Sequence, residues 1–254
     1  MSERRRPHPV LAMSLVAGSA LTVMSAGIVT ACGSADLAAT RSTGARQAGM
    51  TVATEPSAYA PGRLRAALLP EVDGARPAAT AESGRYATLP DVRTSRQAMT
   101  GVTVTPAKCA QATMTAFHTP AFSAAPAAVV TFRAGRDGVS EVLVSAPPRL
   151  AETALGGLLP AGCDSYTATV DGETFRYQAR EVPLGGLPEK SWAQARALNV
   201  QAAGYADVDV WSVVYRGEGF VGAITMVGPD VSEQGVKNLA IRAYATADRV
   251  LSGS

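Results

Sequence analysis

The stretch Val208–Val227, VDVWSVVYRGEGFVGAITMV, decides the fold. Gly217, Gly219 and Gly222 stand in it at the G-x-G-x-x-G spacing of the dinucleotide fingerprint. That fingerprint works where the third glycine opens a helix, because the helix N-terminus receives the pyrophosphate. Here Gly222 leads into Ala223-Ile224-Thr225-Met226-Val227, a β-branched run that reads as a strand. Val208–Tyr215 reads as a strand before the glycines, so the motif is a Gly-rich hairpin turn. A dinucleotide is set aside, and the expected cofactor is none.

Working outward, Ala195–Ala203 precedes this hairpin and completes a meander with a turn at Gly204. Tyr166–Val170 and Glu173–Val182 flank Asp171-Gly172, a strong short-range hairpin signal. Ala128–Ala134 and Val139–Ser145 flank Gly135-Arg136-Asp137-Gly138 in the same way. Pro183 to Pro188 reads as a turn around Gly185-Gly186. Helices frame these strands. Arg63–Leu69 is a short one stopped by Pro70, and residues 71–101 read mostly as loop with a strand at Tyr86–Leu89. Thr105-Pro106 has the form of a helix start that would carry Cys109, Ala110, Met114 and Phe117 up to Pro120. A further helix begins at Pro147-Pro148, runs through Leu158 and closes at Pro160, just before Cys163.

The closing helix is the longest, at about twenty residues by its 3.6-residue periodicity. Val236, Leu239, Ala240, Ala243, Ala247, Val250 and Leu251 recur at three and four, and Asp230 and Glu233 have capping-box spacing. Hairpin strands with helices before, between and after them predict an α+β domain on a mostly antiparallel sheet.

The other end of the chain predicts where this domain works. Arg4-Arg5-Arg6 precede an apolar run from Val10, which ends at Val29-Thr30-Ala31-Cys32. A basic start, an apolar segment and small residues before a cleavage point make a secretory signal peptide. A cysteine directly after them resembles the lipobox of bacterial lipoproteins. That resemblance implies cleavage before Cys32 and a diacylglycerol on its thiol. The competing reading is an uncleaved transmembrane helix over Val10–Ala31, diluted by Ser14, Gly18, Ser19, Ser25 and Gly27. Both readings place the remainder outside, since the arginines hold the N-terminus in the cytoplasm. The expected organisation is therefore a signal peptide at 1–31, a lipidated Cys32 with a Ser/Thr/Ala/Gly tether at 32–60, and one extracytoplasmic domain at 61–254.

Charge narrows the partners. The chain carries 23 basic and 21 acidic residues. Removing residues 1–31 takes away three arginines and Glu3, leaving 20 of each. Nucleic acid is excluded as an expected partner, and the membrane is met through the lipid anchor alone. Of the three cysteines, Cys32 is committed to lipid, so Cys109 and Cys163 read as one disulfide in an oxidising compartment. The alternative is two buried free thiols.

The catalytic inventory is thin. His118 is the only histidine beyond the signal segment, and no Cys/His cluster suits a metal. There is no G-x-S-x-G and no Ser-x-x-Lys, while Thr105-Pro106-Ala107-Lys108 matches the latter only in spacing. No catalytic residue and no metal ligand is expected. Tyr166, Phe175, Tyr177, Trp192, Tyr205, Trp211, Tyr215 and Phe220 crowd the strand-rich half, either as core or as the lining of one apolar cleft.

Taken together, the lipobox, the tether, Leu68-Leu69-Pro70, Cys109 in a helix, Cys163 after a second helix, the meander and the closing helix resemble actinobacterial, especially mycobacterial, envelope lipoproteins. Residues 60–254 are similar to the sensor-domain lipoproteins related to the extracellular domain of the mycobacterial Ser/Thr kinase PknH. The resemblance implies a sheet and helices bordering a ligand cleft, although the kinase's domain has two bridges where this chain can form one. The expected function is a non-enzymatic, lipid-anchored binding or sensor-like domain on the outer face of the cell membrane. Its partner would be a small apolar ligand or another envelope protein. A lipid carrier is the alternative, and a cell-wall hydrolase stands behind both.

Overall fold

The computed structural model describes residues 59–113, 117, 119–155, 159–170, 172–183, 194–202 and 209–253. In chain order these residues form α1 (Pro61–Ala66), β1 (Glu82–Arg85), α2 (Pro90–Met99), β2 (Thr103–Thr105), β3 (Pro126–Ala134), β4 (Asp137–Ser145), α3 (Pro148–Leu155), β5 (Ser165–Val170), β6 (Glu173–Pro183), β7 (Gln194–Ala202), β8 (Asp209–Gly217), β9 (Phe220–Gly228) and α4 (Glu233–Ser252). Short 3₁₀ turns occupy Tyr86–Thr88, Ala107–Thr113 and Pro120–Phe122. The strands make one sheet in the order β1-β3-β4-β9-β8-β7-β6-β5-β2, antiparallel at every pairing. The fold is α+β, as the hairpin signals predict.

Alternation of side chains along each strand divides the core into two layers. On one face Ala128, Val130 and Phe132 of β3, Leu143 of β4, Trp211, Val213 and Tyr215 of β8 and Ile224 of β9 meet α1 and α4. On the other, Ala127, Val129, Val144, Val214, Val221 and Ala223 meet α2, α3 and the 3₁₀ turns. The stripe Val236, Leu239, Ala240, Ala243, Ala247 and Leu251 of α4 is buried, with Val250 at its margin. Fully burying one such Leu or Val stabilises by about 1.5–3 kcal/mol, so this helix is a principal source of packing energy.

Local chemistry explains the boundaries. The β3–β4 turn is Gly135-Arg136, with Gly135 at φ 63°. Ser232 caps α4, its Oγ accepting from the Gly235 N–H at 3.1 Å, and Gly253 in the left-handed region ends it. Asp230, expected at the capping box, instead pairs with Arg136 at 3.2 Å. The chain docks at Tyr59, whose N–H donates to Ser145 Oγ and whose hydroxyl donates to the Glu218 carbonyl.

Two expectations fail. Residues 71–101 contain β1 and α2 where loop was predicted, and Tyr86–Leu89 is not a strand. Helix α2 is easy to miss because Val92 is the only residue it buries. Thr105 does not cap a helix: it is the last residue of β2, paired with Thr167, and its carbonyl accepts from the Thr167 hydroxyl at 3.4 Å. The segment after it turns as a 3₁₀ helix, with the Cys109 N–H donating to the Pro106 carbonyl.

Candidate functional site

The three glycines of the G-x-G-x-x-G match belong to the β8–β9 hairpin. Gly219 takes φ 74° at the turn, and side chains on Gly217 and Gly222 would collide with the rings of Phe220 and Tyr215. Each glycine therefore has a steric reason unrelated to phosphate. Gly222 is the informative one. The Tyr215 ring crosses it, and the Tyr215 hydroxyl donates to Glu141 Oε1 on β4 at 3.3 Å. Glu141 is fully buried on the α4 side and also accepts from the Leu69 N–H, Oε2 at 2.7 Å. Burial pushes its carboxyl up to about 7 despite both donors. Burial, and then the Glu141 charge, hold the Tyr215 hydroxyl far above its ordinary value. This network fixes the segment after α1 to the sheet, and it is fully enclosed.

The opposite face offers more. Thr131 stands opposite Ser140, Ser140 opposite Thr225, and Thr225 opposite Ser212. Register thus lines four hydroxyls across β3, β4, β9 and β8, over about 14 Å at the usual strand spacing. All four are half-buried. Ser212 Oγ and Thr225 Oγ1 lie 3.5 Å apart. The row of Val129, Val142, Ala223 and Val214 borders them on the side of the packed core, and Val227 and Val210 border them on the other. Val142, Val210 and Val227 are also half-buried. The result is a polar band between apolar rows on a face that α2 and α3 leave partly open. Hydroxyls both donate and accept, so such a band can hold an elongated ligand that carries hydroxyl, amide or ester groups. Among the described residues no carboxylate, amine or imidazole hydrogen-bonds to any of the four.

Arg216 sits on this face beyond Val214, opposite Val221 on β9. It is 9% exposed, its Nε is enclosed without an acceptor, and Nη1 lies 3.8 Å from the exposed Glu152 of α3. Tyr166 Oη is also enclosed without a partner, its ring stacked on Tyr177 with centroids 5.4 Å apart.

Cys109 and Cys163 are bridged, S–S 2.03 Å and Cα–Cα 5.4 Å, and both are fully buried. The bridge ties the 3₁₀ segment after β2 to the approach to β5, and Lys108 Nζ donates to the Ala161 carbonyl beside it. The aromatics do not line one cleft. Tyr166, Phe175 and Tyr177 enter one core layer, and Trp211, Tyr215 and Phe220 the other. Trp192, Tyr205, His118 and the lipidation residue Cys32 lie outside the described residues. Among the described residues no group of three or more His, Cys, Asp or Glu could hold a metal, and no helix is long and apolar enough to cross a membrane.

The hydroxyl band could not be anticipated from single strands. Each contributes one Ser or Thr, and only the register assembles them.

No family model and no curated protein matches the chain. Among solved structures it is similar to the extracellular domain of PknH from Mycobacterium tuberculosis, with TM-score 0.48 and 14% identity over 76% of this chain and 97% of that one. It is also similar to an uncharacterised protein from Mycobacterium smegmatis, the Rv0999 ortholog, with TM-score 0.37 and 12% identity over 58% of this chain and 76% of that one.

Proposed function

We propose that this chain is a non-enzymatic, lipid-anchored binding domain on the outer face of the cell membrane. Its ligand would lie across the Thr131–Ser140–Thr225–Ser212 band. The band carries the reading: four hydroxyls in one row, half-open and between apolar rows. The buried Cys109–Cys163 bridge supports an oxidising, exported setting. Cys32 at the end of the Arg4–Ala31 segment supports the anchor. The half-buried Val142, Val210 and Val227 favour a ligand with apolar surface, so a lipid-carrying role is the second reading of the same site.

Cys32 provides the test of anchoring. In an actinobacterial host the chain is expected to incorporate labelled palmitate and fractionate with membranes, and Cys32→Ser is expected to lose the label and leave an uncleaved precursor. A cleaved, unlabelled wild-type chain would contradict the anchor. Turnover of envelope substrates by the purified chain would contradict the binding role.

A further inference from the structure

Among the described residues, Arg216 is the buried charged group on this face that makes no hydrogen bond. A guanidinium offers five N–H donors, yet Nε is enclosed without an acceptor and the one ion pair, to Glu152, is at 3.8 Å. Glu152 is 69% exposed at its side chain, so water screens even that contact. Leaving a buried cation unpaired costs far more than leaving a hydroxyl such as Tyr166 Oη unpaired. An anion arriving from outside would supply the acceptor that Nε lacks. The surroundings describe the rest of that molecule. Val214, Val221, Ala151, Ala154 and Leu155 share this core layer with Arg216, and the half-exposed Val142 and Val210 flank the hydroxyl band on its two sides.

We infer that Arg216 is the anion subsite of the band, and that the ligand is an amphiphile with one carboxylate or phosphate headgroup. The headgroup oxygens accept from the guanidinium beside α3, and the apolar portion crosses the hydroxyl row between Val142 and Val210. This inference rests on the binding reading above. A planar guanidinium matches either headgroup through paired hydrogen bonds, so carboxylate and phosphate share one chemistry here.

The test is calorimetric titration of the intact chain, at fixed salt, with octanoate, octyl phosphate and the neutral octyl glucoside. The anionic probes are expected to bind at least about tenfold more tightly than the neutral one, the effect of one charge-assisted hydrogen-bonded contact. Arg216→Gln should abolish that preference while leaving octyl glucoside affinity within about twofold, and Arg216→Lys should keep part of it. Glu152→Gln, at an exposed position, should raise anion affinity about threefold by removing the competing carboxylate. Arg216→Gln should leave the melting temperature unchanged or raised, because the arginine has no hydrogen bond to lose. A lowered melting temperature in both Arg216→Gln and Glu152→Gln, with probe preference intact, would make the pair a structural pin and overturn the inference. Equal affinity for neutral and anionic probes would also overturn it but leave the band reading standing. Binding of none of the three would remove both. Should Arg216→Gln fail to fold, an unchanged or lowered anion affinity in Glu152→Gln decides against the inference. The better of octanoate and octyl phosphate identifies the headgroup.

Discussion

The Tyr215 ring occupies the space a side chain on Gly222 would need, and by crossing that glycine its hydroxyl reaches Glu141 on the next strand but one. An apparent nucleotide-binding glycine is thus the gap through which a buried hydrogen bond is made.

Gly222→Ala should therefore destabilise the domain by about 1–3 kcal/mol, the range for overpacking, because the ring must shift off β9. Tyr215→Phe keeps the packing and removes one donor from a buried carboxylate, for a loss of about 1.5–3 kcal/mol. Urea denaturation of both variants checks this, and an unchanged midpoint for Gly222→Ala would contradict the steric account.

The buried carboxylate also sets a pH dependence. Glu141 is raised to about 7 in the folded chain from 4.5, so folding takes up a proton between those values. Stability is greatest below pH 4.5 as far as this group is concerned, and it falls as pH rises through 7. The span is on the order of 3 kcal/mol at 1.36 kcal/mol per unit. Asp91, raised to about 6 by burial and by the neighbouring Glu82, adds a slope of the same sign at lower pH. Glu141→Gln should flatten the dependence between about pH 6 and 7, above the Asp91 range, and leave the Asp91 part at lower pH. A parallel curve for the variant would show that Glu141 does not titrate there.

The Cys109–Cys163 bridge closes a sequence separation of 54 residues. The loop-closure model gives it about 4 kcal/mol, acting through the unfolded chain. Denaturation with and without reductant should differ by up to that amount, and the non-reduced chain should weigh two hydrogens less. Equal midpoints with a confirmed mass deficit would mean that the reduced chain retains its own structure.

How much of this was legible depends on which signals are local. Asp171-Gly172 and Gly135-Arg136-Asp137-Gly138 announce hairpins because Gly and Asp suit short turns, and the β3–β4 and β5–β6 pairs are found, with β4 starting two residues earlier than expected. The stripe of α4 is equally readable, since its apolar repeat runs unbroken from Val236 to Leu251. Helix α2 escaped because one buried residue leaves almost no periodicity. Thr105-Pro106 misled because a threonine before proline suits a strand end as well as a cap, and only the pairing with Thr167 decides. The bridge partners followed from counting cysteines. The hydroxyl band and Arg216 did not follow from anything local, because their meaning comes from strands far apart in the sequence.

That band is the centre of the account, and native mass spectrometry of the chain purified from an actinobacterial host tests it most directly. Wild-type protein should carry a non-covalent mass that denaturation releases. The Ser212→Val, Thr225→Val double variant, folded to the same extent, should carry about tenfold less, as two lost neutral hydrogen bonds require. Undiminished occupancy in that variant would contradict a ligand lying across β8 and β9.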